Sequence, residues 1–281
     1  MREIHVDQIT EAVEKLCIEA NYYLPADVYQ ALERAKKQEQ SPLCREILGD
    51  ILKNADIAAK EQMPICQDTG LAVFFLEVGQ DVHICGGALE DAVNLGVHRG
   101  YINGYLRKSA LDDPFLIRKN TGDNTPAIIH TRLVPGDKMH ITIAPKGGGS
   151  ENMSALGMLK PAQGRDGVKA FIVDAVSKAG SNPCPPVIVG VGIGGTIEKT
   201  TWMAKHSLLR EVGTHHEDPE IAAFEEEVLQ AINKLGIGAQ GFGGTVTALA
   251  VHIETFPAHL ASLPVAVNMQ CHAARHQTVV L

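Results

Sequence analysis

The spacing of apolar residues changes near residue 63, and this change restricts the possible folds more than any other feature of the sequence. Up to residue 62, apolar residues recur three and four positions apart, as in "DQITEAVEKLCIEANYYL", which predicts amphipathic helices. Beyond that point, short apolar runs such as "LAVFFLEVG" (71–79) alternate with helical segments, and such runs are typical of buried strands. We therefore predict an α/β fold, with a helical N-terminal segment over residues 1–62 and a mixed α/β body over residues 63–281.

The same periodicities assign the remaining elements of the body. Helical spacing occurs in "LEDAVNLGVHRGYINGYL", "SALGMLKP", "GRDGVKAFIVDAVSKAG", "TIEKTTWMAKHSLLRE" and "PEIAAFEEEVLQAINKLG". Strands are predicted in "PPVIVGVGIGG", "TVTALAVHIETF" and "LPVAVNMQC". The segment "PAIIHTRLVPGDKMHITIAPKG" is interpreted as two strands joined at "PGD" in the manner of a hairpin. Asp27 and Ser41 stand where helix N-caps are expected.

Charge and hydropathy argue against two large classes of protein. The 281 residues include 33 acidic and 25 basic side chains, giving a formal net charge of -8, and they contain no basic cluster typical of a nucleic-acid-binding protein. No apolar run approaches the roughly 18 residues that a membrane span needs. The N-terminal "MREIHVDQIT" lacks the apolar stretch of a signal peptide. We therefore expect a cytoplasmic protein without a nucleic-acid or membrane partner.

Six cysteines are spread over the chain without any CxxC pair, and disulfides are not expected in a reducing cytosol. Cys17 and Cys44 fall within predicted helices, where a thiol usually packs in the core. Cys66, Cys184 and Cys271 instead stand at loop-like junctions. Three thiolates from distant parts of a chain can bind three irons of a [4Fe–4S] cluster and leave the fourth iron to act as a Lewis acid. Spacing alone also leaves open a zinc site, or no metal at all.

Three glycine-rich stretches offer further candidate sites: "KGGGSEN" (146–152), "GVGIGGT" (190–196) and "GAQGFGGT" (238–245). The second matches the dinucleotide-binding pattern G-x-G-x-x-G between a predicted strand and a predicted helix, so an NAD-dependent oxidoreductase is an alternative. Against it, Glu211, the candidate ribose-binding acid, falls within a predicted helix, and about 180 residues precede a fingerprint that usually opens its βαβ unit. The glycine-rich loops could equally bind carboxylates through their amides, or serve only tight turns and close packing.

Five motifs occur in order along the chain: "PICQDTG", "NTGDNTPAIIH", "PKGGGSENMSALGML", "NPCPPVIVGVGIGGT" and "VNMQCHAARH". Together they resemble the class I fumarase and tartrate dehydratase family of oxygen-sensitive iron–sulfur hydro-lyases. The resemblance extends along the whole chain, with its motifs concentrated between residues 64 and 276. It implies a [4Fe–4S] cofactor held by Cys66, Cys184 and Cys271. Cys85 matches no ligand position of the family and is expected to pack.

The resemblance also implies roles for individual residues of the site. Asp68 matches the catalytic acid–base group, two positions after a cluster ligand. The implied substrate-binding residues are Gln67, Arg107, Gly148, Gly149 and His259.

Each of these assignments has a structural alternative. Asp68 could instead cap a turn through local amides. Arg107 could form a surface ion pair, leaving Arg99 or Arg118 to bind the substrate carboxylate. Gln67 could support the cluster ligands without touching the substrate. His259 could cap or pack.

The family further implies a subunit rather than a complete enzyme. Its single-chain members carry an additional C-terminal domain, whereas this chain stops at Leu281. We therefore expect the α subunit of a two-subunit fumarate hydratase, which reversibly hydrates the dicarboxylate fumarate to L-malate. A separate β subunit would carry the second catalytic domain, and the αβ units would assemble further. An L(+)-tartrate dehydratase α subunit is the nearest alternative. The oxidoreductase and a zinc-stabilised scaffold are more distant ones.

Overall fold

The computed structural model describes residues 2–281 and confirms the predicted α/β class, with helices in the N-terminal segment and mixed sheets beyond it. The described chain divides into two compact units. The first unit comprises the chain up to Pro25, Asn54–Gly147 and Arg275–Leu281, and the second comprises Ala26–Lys53 and Gly148–Ala274. The sequence pattern divides the chain at residue 62, and the spatial division is a different one. The division by sequence pattern stays a prediction about domain organisation.

The helices and strands follow one another along the whole described chain. The helices are α1 (Val6–Tyr22), α2 (Ala26–Gln38), α3 (Pro42–Glu61), α4 (Leu89–Asn103), α5 (Gly148–Glu151), α6 (Gly164–Ala179), α7 (Ile197–His206) and α8 (Pro219–Asn233). The strands are β1 (Arg2–His5), β2 (Leu71–Gly79), β3 (Val82–Cys85), β4 (Ile128–Val134), β5 (Met139–Lys146), β6 (Ala155–Leu159), β7 (Val187–Gly194), β8 (Ala248–Phe256), β9 (Leu263–Gln270) and β10 (Gln277–Val280). None of the described helices is both long enough and apolar enough to cross a membrane.

The two predicted helix caps have different outcomes. Ser41 directly precedes α3, and its hydroxyl accepts a hydrogen bond from the Cys44 amide at 3.4 Å, as an N-cap does. The prediction for Asp27 is wrong, because α2 begins at Ala26 and Asp27 lies inside its first turn. The Asp27 carboxylate instead accepts a hydrogen bond from the Val212 amide at 2.8 Å.

The first unit contains a four-stranded sheet in the order β10-β5-β2-β4. The predicted hairpin between β4 and β5 is wrong, because β2 lies between them, parallel to β4 and antiparallel to β5. The burial of the strands explains this arrangement. β2 is apolar and buried at most positions, which suits the interior of the sheet, whereas the side chains of β4 are mostly exposed and occupy its edge.

Helices α1 and α4 form a shared core with the sheet of the first unit. Val13 and Cys17 of α1 are fully buried there, together with Phe74 of β2. The helices approach closely because two glycines of α4 face α1. A Cβ added at Gly96 would lie 2.6 Å from Val13 Cβ, and one at Gly100 would lie 2.6 Å from Cys17 Cβ.

The second unit contains a four-stranded sheet in the order β6-β9-β7-β8, with α6 and α8 contributing apolar side chains to its core. The helix predicted for "SALGMLKP" is wrong, since Ala155–Leu159 forms β6, antiparallel to β9. Its side chains alternate between half-buried and exposed, the period of two that a strand requires. Helix propensity stabilises a run of only five residues very little. The segment therefore forms a strand that pairs with the buried strand β9.

The dinucleotide-like glycines have a packing role in the second unit. Gly190 and Gly192 lie inside β7 rather than in the turn after it. A Cβ at Gly190 would lie 2.1 Å from the Ala204 carbonyl oxygen, and one at Gly192 would lie 2.1 Å from the Thr200 carbonyl oxygen. The glycines therefore let α7 pack directly on the strand, as expected for the close-packing alternative.

Candidate active site

In the first unit, the "CQDTG" segment (residues 66–70, here the CQDTG turn) folds back on itself. The Asp68 amide lies 3.4 Å from Cys66 Sγ, and one Asp68 carboxylate oxygen accepts a hydrogen bond from the Gly70 amide at 3.1 Å. Gly70 has a φ of +74°, and a Cβ there would lie 2.6 Å from the backbone of Lys146. Only glycine fits this position, so the turn is fixed against the end of β5.

Buried side chains form hydrogen bonds with the C-terminal end of the CQDTG turn. The Tyr101 hydroxyl donates to the carbonyl oxygens of Thr69 and Gly70, at 3.0 Å each. The Asn124 amide nitrogen donates to the same Gly70 carbonyl at 3.1 Å. Burial raises the pKa of Tyr101, so its hydroxyl stays protonated and keeps donating. These bonds fix the backbone from which the Asp68 side chain projects.

Arg275 also supports this turn, and the sequence analysis assigned it no role. It is 2% exposed, and its guanidinium donates to the Asp68 carbonyl oxygen at 2.9 Å and to Asn21 Oδ1 at 3.0 Å. Burying an arginine is costly unless its charge is hydrogen-bonded, and these two bonds satisfy both terminal nitrogens of Arg275. The signal available in the sequence was its place in the "VNMQCHAARH" motif, four residues after Cys271.

Arg107 is tied to the same turn through its backbone. The Thr69 hydroxyl donates to the Arg107 carbonyl oxygen at 3.1 Å. The side chain of Arg107 is exposed, and its guanidinium makes no hydrogen bond or ion pair with any residue in the described range 2–281. The surface ion pair considered as an alternative role is therefore not formed. An exposed arginine beside this turn retains its donors for an anionic ligand.

Gln67 is the most exposed residue of the triplet Cys66–Gln67–Asp68. Its side-chain oxygen lies 3.1 Å from Cys66 Sγ. This contact matches the alternative role of supporting the ligand, and the exposed amide is also accessible to a small molecule.

In the second unit, Cys184 lies in a loop of residues 181–186, here the Cys184 loop. It is exposed, follows Pro183 and precedes Pro185, and its φ is +54°. Non-glycine residues rarely adopt such a φ, which costs of order 1–3 kcal/mol and is retained mainly at functional positions. The Cys184 amide donates to the Ser181 carbonyl at 3.0 Å and closes the turn.

The segment of Cys271 is joined to the Cys184 loop. The backbone amide of His272 donates to the Cys184 carbonyl oxygen at 3.3 Å, and His272 Nδ1 lies 3.0 Å from that oxygen. The second unit therefore brings together the backbones of two predicted ligands, although 87 positions separate them in the sequence.

The glycines of "KGGGSEN" lie close to predicted site residues in both units. In the first unit, a Cβ on Gly147 would lie 3.0 Å from Asp68 Oδ2. Gly148 and Gly149 are exposed at the start of α5 in the second unit. A Cβ on Gly149 would lie 3.0 Å from the Asn182 carbonyl oxygen, in the Cys184 loop.

His259 forms a turn after β8. Its Nδ1 accepts a hydrogen bond from the Ala261 amide at 3.2 Å, and its carbonyl oxygen accepts one from the Ser262 amide at 2.9 Å. The capping role considered for His259 is thus realised, and a neutral ring carries its proton on the exposed Nε2. Within the described part of the second unit, none of its hydrogen bonds reaches the Cys184 loop.

The six cysteines differ in whether they suit a metal centre. Cys17 and Cys44 are fully buried, as predicted for core residues, and burial raises the pKa of Cys17, which opposes the thiolate form that metal ligation requires. Cys66 and Cys271 are half-buried and Cys184 is exposed, all at turns or strand ends. Cys85 is half-buried at the end of β3, opposite His5 of β1.

No disulfide links these six cysteines, all of which lie in the described chain. Among the described residues, no group of three or more His, Cys, Asp or Glu side chains is arranged to hold a metal ion as it stands. The donor chemistry and exposure of Cys66, Cys184 and Cys271 fit a cluster better than those of Cys17 and Cys44. The ligand set itself stays a prediction.

Comparison with known proteins identifies one family. The family model described as fumarate hydratase (Fumerase) matches residues 10–280. A protein of Methanocaldococcus jannaschii, provisionally named L(+)-tartrate dehydratase subunit alpha, is 42% identical over 273 residues, covering 95% of each chain. The L(+)-tartrate dehydratase subunit alpha of Escherichia coli O157:H7 is 32% identical over 278 residues, covering 98% of this chain and 91% of its own. Its counterpart in strain K12 is 31% identical with the same coverage.

Proposed function

This chain belongs to the fumarate hydratase (Fumerase) family, and from that premise we propose that it is the α subunit of an iron–sulfur hydro-lyase that interconverts fumarate and L-malate. The observation that carries the proposal is the CQDTG turn. Its hydrogen bonds hold the Asp68 backbone amide beside Cys66 Sγ and orient the Asp68 carboxylate toward the Gly70 amide, so a candidate metal ligand and a candidate proton-transfer group belong to the same turn. The exposed Arg107 beside the same turn supplies a group for a substrate carboxylate.

Cys66, Cys184 and Cys271 are the proposed ligands of a [4Fe–4S] cluster. A bound cluster with one iron lacking a thiolate ligand supplies Lewis-acid chemistry to an oxygen of the substrate. All three thiols must lose their protons to serve as ligands. None of the three is fully buried, so an incoming cluster can reach them.

Asp68 is the proposed acid–base residue. Water addition to a double bond needs a group that removes a proton from, or returns it to, the oxygen that enters or leaves. One Asp68 oxygen already accepts the Gly70 amide, so the carboxylate is oriented before substrate binds. The buried Arg275 donates to the Asp68 carbonyl oxygen and so supports the backbone that carries this carboxylate.

The remaining predicted residues are proposed to bind the substrate. The Arg107 guanidinium suits a carboxylate, because it can donate two parallel hydrogen bonds. The exposed amide of Gln67 donates to or accepts from substrate oxygens. Gly148 and Gly149 offer backbone amides at the start of α5, and His259 offers the proton on its Nε2.

A second subunit is part of the proposal. The relatives from Methanocaldococcus jannaschii and Escherichia coli are named as alpha subunits, which supports a β subunit for this chain as well. We propose that the β subunit contributes the second catalytic domain and that αβ units assemble further in the cytoplasm.

L(+)-tartrate is the second candidate substrate, and the names of the relatives favour it. Tartrate differs from malate by one additional hydroxyl, so both substrates need the same carboxylate-binding groups and the same proton-transfer group. Their discrimination requires a donor or acceptor for that extra hydroxyl, because a site built for a hydroxyl rejects a ligand lacking it.

The test is activity of the chain purified anaerobically with the β subunit of the same organism. We expect loss of fumarate absorbance with formation of malate, and a higher kcat/KM for malate than for L(+)-tartrate. A higher kcat/KM for tartrate would assign the tartrate dehydratase function instead. An assembly that contains the cluster and turns over neither substrate would contradict the hydro-lyase proposal.

A further inference from the structure

Gln240 of the second unit lies in a turn of residues 239–241, here the Gln240 turn, and binds the segments of two predicted cluster ligands. Its backbone amide donates to the Pro185 carbonyl oxygen at 2.8 Å, and its side-chain amide donates to the same oxygen at 2.9 Å. The side-chain nitrogen also lies 3.0 Å from His272 Nδ1. Pro185 directly follows Cys184, and His272 directly follows Cys271.

The His272 ring links the same segments by a second route. Its Nδ1 lies 3.0 Å from Gln240 Nε2 and 3.0 Å from the Cys184 carbonyl oxygen. A given tautomer can make only one of these hydrogen bonds, since Nδ1 either accepts or donates. In either case the hydrogen bond ties His272, the residue after Cys271, to the Cys184 loop or to the Gln240 turn.

The Gln240 turn is itself rigidly held. Gln240 has a φ of +53°, which side-chain-bearing residues rarely adopt, so the turn is maintained by its surroundings. A Cβ added at Gly241 would lie 2.4 Å from Ser181 Cβ, which places this turn in direct contact with the start of the Cys184 loop. Farther along the same loop, the amides of Thr245 and Val246 donate to the buried Glu39 carboxylate, each at 3.0 Å.

We propose that Gln240 is a positioning residue, which holds the Cys184 and Cys271 segments in the arrangement that their thiolates need for the cluster. This inference rests on the ligand set of the proposed function. Gln240 acts on the backbone next to the ligands and need not touch the cluster or the substrate. Residues that orient metal ligands in this way typically change metal affinity or activity by about 10- to 100-fold when replaced.

The test replaces Gln240 by methionine, which keeps the length of the side chain and removes its amide. In the apo protein, we expect alkylation of Cys271 to accelerate relative to alkylation of Cys66, as measured by mass spectrometry of the labelled peptides. In the anaerobically reconstituted protein, we expect iron release to a chelator to accelerate by about 10-fold. The thermal midpoint separates this local loosening from general unfolding.

Phe242→Ala is the matched control, because Phe242 follows the same turn and its side chain is 64% exposed. It should leave both rates at the parent values. If Gln240→Met does not fold, Gln240→Asn provides the same test, since asparagine tolerates a positive φ and its amide is too short to reach both partners.

Unchanged Cys271 alkylation and unchanged iron release in a folded Gln240 variant would overturn the positioning role. A parent protein that takes up no iron and sulfide would instead contradict the proposed function. In that case, the Cys271 alkylation rates would still decide whether Gln240 positions this segment.

Discussion

At the scale of single residues, the two oxygens of Asp68 explain how one carboxylate can have both a structural and a chemical role. One oxygen accepts the Gly70 amide and shapes the CQDTG turn. A Cβ added at Gly147 would lie 3.0 Å from the other oxygen, so the glycine leaves space beside that oxygen. The capping role considered as an alternative is therefore realised and remains compatible with proton transfer.

Asp68→Asn tests that dual role. Asparagine keeps an oxygen that can accept the Gly70 amide, so the turn and the cluster content should be retained. It removes the basic carboxylate, so kcat in the complete assembly should fall by about 100-fold or more. Asp137→Asn, in the exposed turn between β4 and β5, is the control and should retain the parent kcat. A normal kcat for Asp68→Asn would mean that the carboxylate is only structural.

Sequence reasoning identified the residues with recognisable chemistry and missed those that act through the backbone. The motif containing Cys66 and Asp68 drew attention because thiols and carboxylates carry chemistry. Arg275 and Gln240 act on carbonyl oxygens of Asp68 and Pro185, and those contacts exist only after folding. No spacing rule in the sequence predicts them.

At the scale of elements, the third glycine-rich stretch binds a carboxylate, as one alternative in the sequence analysis allowed, but the carboxylate is the protein's own. Glu39 directly follows α2, is 1% exposed, and accepts hydrogen bonds from the amides of Ser41, Thr245 and Val246. Burial alone would raise the pKa of Glu39, but these amides and the Thr245 hydroxyl lower it. The carboxylate thus connects the end of α2 to the loop that contains the Gln240 turn.

The lowered pKa of Glu39 predicts how stability depends on pH. Because the folded-state pKa lies below the ordinary value of 4.5, the contribution of Glu39 is complete above that pH and is lost as pH falls through the folded-state pKa. Glu39→Gln should lower the free energy of unfolding at pH 7 by about 2 kcal/mol, and it should reduce the loss of stability on acidification.

Thermal unfolding of Glu39→Gln between pH 7 and pH 3 measures both effects. Glu33→Gln, an exposed carboxylate on α2, is the matched control and should match the parent at every pH. A Glu39→Gln protein with the parent's midpoint and the parent's pH dependence would show that the loop does not depend on this carboxylate.

The errors in the predicted elements also arise at this scale. The extended apolar run of β2 was predicted with its correct bounds, because a strand buried on both faces has a strong signal. The hairpin between β4 and β5 and the helix over β6 were wrong, since strand partners come from elsewhere in the chain. Local sequence determines how readily a segment forms a helix or a strand. The order of strands in a sheet depends instead on which strand is apolar enough for the interior.

At the scale of the whole molecule, the chain passes from the first unit into the second and back again twice. Its last residues, Arg275–Leu281, return to the first unit, where β10 pairs with β5 and Arg275 holds the Asp68 carbonyl. Division by sequence pattern could not anticipate this, because the spacing of residues in a short segment does not show which strand the segment pairs with. The family assignment covers both units, since the matched residues extend from 10 to 280.

The central claim is that this chain holds an iron–sulfur cluster through Cys66, Cys184 and Cys271. The most direct measurement is iron and acid-labile sulfide per chain after anaerobic reconstitution, for the parent and for single serine variants of each cysteine. The parent should bind about four irons and about four sulfides. Cys66→Ser, Cys184→Ser and Cys271→Ser should each lose most of both, while Cys44→Ser and Cys85→Ser retain them. Zinc without sulfide in the parent, or full iron and sulfide in Cys184→Ser, would contradict the claim.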